Sequence, residues 1–79
     1  MRDKYMNNQM KTYYAREIIT ANSCLMNVDD NEEQFNNTSK ILNILFGNAV
    51  IKNNVGTIKA HSEEEALDML RAGQWVPRK

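Results

Sequence analysis

Apolar and polar positions alternate along the chain with the period of a helix in three places and of a strand in two. Between Lys11 and Asn27, Tyr14, Ile18, Ala21 and Leu25 recur at steps of four, three and four, which predicts a first helix with one buried face. The β-favouring pairs Tyr13-Tyr14 and Ile18-Ile19 offer a competing strand over residues 12–21. A second helix is expected to follow Asp30 and run to Phe46. Phe35, Leu42, Leu45 and Phe46 would face one way, with Ile41 and Ile44 widening the stripe. Four weak helix formers, Asn36-Asn37-Thr38-Ser39, interrupt it and leave open a shorter helix followed by a strand over residues 41–46. Two β-rich runs, residues 49–52 and 57–61, flank Asn53-Asn54-Val55-Gly56 and predict a β-hairpin. A last helix carries Ala66, Met69 and Leu70 on one face, with Leu67 at its edge.

Local punctuation supports the two later helices. Asp30 and Glu33 stand at capping-box spacing, as do Ser62 and Glu65. Gly47-Asn48 is a plausible stop for the second helix. Glu63, Glu64 and Glu65 crowd the first turn of the last helix and Arg71 its last turn, each sign matching the helix dipole. Gly73 is placed for a left-handed stop, Trp75 can fold back, and Pro77 prevents the helix from resuming. The expected fold is therefore a small α+β domain in the order α-α-β-β-α, or β-α-β-β-α if residues 12–21 form a strand. Residues 1–9 read as a flexible tail and 10–79 as one domain.

Composition adjusts this picture little. With 79 residues, 42% hydrophobic and 25% charged, the chain can fold but builds only a small core, so a partner or a dimer could add support. Ten basic and ten acidic residues cancel, which removes the global field that attracts nucleic acid or an anionic membrane. Cys24 is the single cysteine, so no internal disulfide can form, and no apolar run reaches the length of a membrane span. A cytoplasmic location is the expectation.

Candidate chemistry is sparse. Cys24 and His61 could form a nucleophile–base pair, yet no local signature surrounds either. Asp29, Asn31 and Glu33 alternate like the start of a calcium loop, but Gln34 stands where the turn needs glycine and Lys40 where a bidentate glutamate belongs. One cysteine and one histidine cannot supply a structural zinc site without further ligands. Gly47, Gly56 and Gly73 form no glycine-rich phosphate loop. No cofactor, metal or catalytic residue is assigned, and an enzyme is disfavoured.

Binding is the expected function. Tyr5, Tyr13, Tyr14 and Trp75 exceed what so small a core needs, and aromatic residues favour binding hot spots. Tyr13 and Trp75, with Arg71, Arg78, Lys79, Lys52 and Lys59, are the candidate partner-binding residues. The partner is expected to be another protein. A small, neutral, asparagine-rich chain without catalytic groups fits the inhibitors that bacteriophages and mobile elements use to occlude host enzymes or defence complexes. A homodimer is the plainer expectation. Two helices followed by a basic hairpin also resemble a winged helix, which implies a DNA-binding regulator as the alternative, although Lys40 is the lone cation offered by its reading helix.

Overall fold

The computed structural model describes residues 9–78, and the side chains of residues 9–75. Five strand and helix segments cross or cover one antiparallel sheet, and a short sixth extends it. In chain order they are β1 (Lys11–Thr20), β2 (Cys24–Asp29), α1 (Glu32–Phe46), β3 (Val50–Ala60), α2 (Glu63–Arg71) and β4 (Val76–Arg78). β1 lies between β2 and β3, and β4 adds three residues to the outer edge of β3, giving the order β2-β1-β3-β4. The order α-α-β-β-α is thus overturned. The alternative fares better at residues 12–21, where β1 does form, but fails at residues 24–29, where it has no β2.

The first helix was a misreading of spacing. Residues four apart share a face in a strand as well as in a helix, so Tyr14 and Ile18 fit both periods. Leu25 joins them because the β1–β2 register sets it opposite Ile18. The turn is made at Ala21-Asn22-Ser23, where Thr20 N–H donates to the Ser23 carbonyl at 2.9 Å and the Thr20 hydroxyl accepts from the Ser23 amide at 3.1 Å. Such local side-chain bonds are what make polar clusters turns.

The expected hairpin over residues 49–61 is also absent. Asn53, Asn54, Val55 and Gly56 continue the ladder, opposite Ile18, Glu17, Arg16 and Ala15 of β1. Tertiary pairing overrides the turn composition here. Asn54 even finds a cross-strand use, its Nδ2 donating to Glu17 Oε1 at 3.1 Å.

The two helices cover opposite faces of the sheet. One face carries Tyr13, Ala15, Val28, Ile58 and Ala60, buried against Ala66 and Leu70 of α2, with Met26, Leu67, Met69 and Trp75 packed around them. The other face carries Tyr14, Arg16 and Ile18 beneath α1, which sends down Phe35 and Leu42. β1 therefore buries residues on both sides, and no polar–apolar alternation survives in its sequence to mark it as a strand.

Both helices start where the caps place them, with adjustments. The N-cap of α1 is Asn31, not Asp30: its side chain accepts from Gln34 N–H at 2.9 Å, while Asp29 accepts from the Asn31 amide at 2.9 Å. Ser62 caps α2 as expected, accepting from Glu65 N–H at 3.1 Å, but Glu65 reaches back to the amide of His61 instead of Ser62. At its other end Gln74 N–H donates to the Met69 carbonyl and Gly73 N–H to Leu70, a Schellman stop with Gly73 at φ 74°. Trp75 then folds back onto the core.

Arg16 holds α1 to the sheet. Its side chain is only 1% exposed. Nε donates to Asn27 Oδ1 at 3.1 Å, Nη1 donates to the Ser39 hydroxyl, and Nη2 donates to the Phe35 carbonyl at 2.5 Å. The guanidinium carbon lies 3.8 Å from the centre of the Phe35 ring. Burial lowers the pKa of this arginine and the nearby Asp29 charge opposes that shift. Ser39 also donates to the Phe35 carbonyl at 3.2 Å, so a residue poor in helix propensity is retained for its hydroxyl.

Replacing Arg16 by alanine is expected to cost about 3 kcal/mol, since it opens a cavity and strips charge-assisted hydrogen bonds from buried acceptors. Arg16→Lys should still lose about 1–2 kcal/mol, because an ammonium cannot fork to three partners on two elements. Denaturant unfolding of the three proteins checks both, and an unchanged midpoint for Arg16→Lys would show that the fork is dispensable.

Candidate functional site

The nucleophile–base pair is excluded by geometry. Cys24 pairs with Ile19 at one end of β1, whereas His61 follows Ala60, which pairs with Lys11 at the other end. Eight strand residues separate these levels, about 25 Å. Cys24 is exposed on the edge strand and its thiol lies 3.8 Å from Glu17 Oε2. Local desolvation first, and then the Glu17 carboxylate, push the thiol pKa up, the opposite of what activates a nucleophile.

Around His61 lies an open depression of about 400 Å³ lined by His61, Ser62, Glu64, Glu65 and Asp68. Glu65 Oε1 accepts from the His61 amide at 2.5 Å and meets His61 Nδ1 at 2.9 Å. These bonds, the backbone one foremost, hold the Glu65 carboxyl below its ordinary range. The carboxylate is occupied as a helix cap, and among the described residues no group of three potential ligands converges to hold a metal.

Of the seven residues nominated for partner binding, the five whose side chains are described do not form one surface. Tyr13 is 4% exposed and belongs to the core under α2, so it is no exposed anchor. Strand alternation turns it inward, where a helical reading had left it off the buried stripe. Trp75 is half-buried against the same core. Lys52 and Lys59 are exposed but seven residues apart on one strand, which puts them on opposite faces of the sheet. Arg71 pairs with Asp68 at 3.3 Å on the surface of α2. Arg78 lies in β4, with its side chain outside the described residues, as are Tyr5 and Lys79 entirely. The hairpin that would have served as a DNA-tracking wing is a single strand.

What sequence reasoning missed is the outer side of α1. Phe35 and Leu42 are buried, but Ile41, Ile44 and Leu45 are 56%, 81% and 71% exposed. The signal was present: at 100° per residue, the apolar residues of 41–46 sweep about 200° of the helix, and one sheet face cannot cover that arc. Ile51, just beyond the 3₁₀ turn Gly47–Ala49 that ends α1, is exposed as well. Beside it, among the described residues, the outer edge of β3 is paired only at Val55–Thr57, by β4.

Among the described residues no helix is long and apolar enough to cross a membrane.

Loss of the Glu65 cap has a pH signature. A carboxyl with a lowered folded pKa contributes stability above its unfolded value, near 4.3, and that contribution disappears as pH falls through the folded pKa. Unfolding measured from pH 6 down to pH 2 should therefore show a steeper acid loss in the native chain than in Glu65→Gln. Parallel curves would remove the cap as the cause. No protein-family model matches the chain, and no curated protein and no solved structure proves similar to it.

Proposed function

We propose that the chain is a small non-catalytic module that binds another protein, acting in the cytoplasm, with the outer face of α1 as its contact surface. One observation carries this reading: Ile41, Ile44 and Leu45 stand exposed on consecutive turns of a helix whose other side is already seated on the sheet. Isolated exposed apolar residues are ordinary, but a contiguous helical stripe matches the way an amphipathic helix meets a groove or a second helix. Folding does not account for the stripe, since Ile41, Ile44 and Leu45 are exposed and none packs against the buried cluster under α2.

This moves the contact surface away from Tyr13 and the scattered lysines. The version in which the module occludes a host enzyme rests on composition alone and gains no residue from the fold. Catalysis finds no support in the separation of Cys24 from His61 or in the occupied Glu65. The exposed thiol suits a reducing compartment.

The test is capture of a partner by the immobilised protein from lysate of the source cell, read by mass spectrometry. Ile44→Asp should weaken capture at least tenfold, about the loss of a hot-spot residue, while the far-ultraviolet spectrum stays native. Lys52→Ala with Lys59→Ala should leave capture unchanged. Retained capture by Ile44→Asp would place the contact elsewhere.

A further inference from the structure

We propose that the occupant of the α1 stripe is a second copy of this chain, docked so that the two α1 helices run antiparallel and cross between Ile41 and Ile44. The inference rests on the reading of that stripe as a protein contact. It names the partner.

Three features point to self-docking. The first is charge along the helix. α1 carries Glu32 and Glu33 in its first turn and has no basic residue in its last, so the negative end of its dipole is uncompensated by its own side chains. Its single cation, Lys40, sits one residue before the exposed stripe. In an antiparallel pair crossing between Ile41 and Ile44, Lys40 of each copy lies alongside the last turn of the other. A parallel pair would instead set the Glu32 and Glu33 pairs of the two copies side by side. The second feature is geometry. A twofold axis needs a self-complementary patch, and this arrangement sets Ile41 of one helix against Ile44 of the other, twice. Asn37, four and seven residues before Ile41 and Ile44 on the same line, limits the apolar seam to the C-terminal half and so favours one register. The third is the chain's balance of ten basic and ten acidic residues, which leaves no net repulsion between copies.

Self-association also suits the size of the domain. α1 is seated by Phe35, Leu42 and the Arg16 fork, a sparse attachment for fifteen residues of helix, and a second copy would cover the side the sheet leaves bare.

Sedimentation velocity of the full chain from about 1 µM to 1 mM tests the proposal. The expected result is a concentration-dependent dimer. Ile44→Asp should raise its dissociation constant at least thirtyfold, and Lys40→Glu about tenfold with a loss that shrinks at high salt. Both residues are exposed, and circular dichroism confirms that the variants fold. Orientation is read from spin labels at Glu33→Cys in a Cys24→Ser background: about 30 Å apart in the antiparallel pair, about 10 Å in a parallel one. A chain that stays monomeric throughout, a dimer indifferent to Ile44→Asp, or a short label distance would overturn the proposal. A monomer that still loses capture of another protein through Ile44→Asp would overturn the second copy while leaving the stripe as a contact surface. Loss of neither self-association nor capture would end both.

Discussion

A charged guanidinium sealed between a sheet and a helix sets the terms for half of this molecule. Arg16 comes from the central strand, and its three donors reach Asn27 on the neighbouring strand and Phe35 and Ser39 on α1. Taking such a group out of water is costly unless its protons find acceptors, so the positions of all three acceptors are tied to one another. Asp29, which also anchors the N-cap of α1, lowers that cost by its charge. The start of the helix, the strand that precedes it and the strand beneath it are thereby fixed in one polar arrangement. The opposite face works differently: α2 is held by alanines, Leu70 and Ile58 in close contact, with its charged groups on its outer side and at its ends.

This asymmetry decides what each helix can show to the outside. α2 is nine residues long, charged on its outer side and closed by caps at both ends, so its surface is finished. α1 is fifteen residues long and its seating is concentrated near Phe35 and Ser39, with Leu42 one turn on. Beyond that point the sheet gives it little to bury against, and the apolar residues continue regardless. A helix shaped only for folding would carry lysine or glutamate at positions 41, 44 and 45, where charge adds solubility at no cost to the core.

Legibility in the sequence followed the range of the interactions. α2 was readable because its determinants lie within twelve residues: Ser62, Glu65, Arg71 and Gly73 act on the backbone next to them. β1 was not, because its pattern has two meanings. Tyr14 and Ile18 satisfy a helix and a strand alike, and the residues that distinguish them, Tyr13 and Ala15, are buried only because α2 arrives from the far end of the chain. Asn53 to Gly56 failed for the same reason. Their composition describes a turn, and only the presence of β1 alongside, with Ala15 opposite Gly56, makes a strand of them. The error over Tyr13 was inherited from these, since its face of the chain depends on the element that holds it.

The proposed contact surface was hidden by a different effect. An apolar stripe read in isolation is assumed to be buried, and each added isoleucine seems to strengthen that assumption. Width carries the opposite information. Phe35 and Leu42 define a line that a sheet can cover, whereas Ile41, Ile44 and Leu45 lie around the helix from it, and among the described residues no second layer reaches them. α2 is spent on the other face, and β4 extends an edge instead of covering a helix. Among the described residues, two helices on two faces of one sheet leave no further element over the outside of either. The apolar arc on α1 is wider than its one contact with the sheet, and on the proposed reading that width separates a surface kept for association from the ordinary scatter of exposed aliphatic residues.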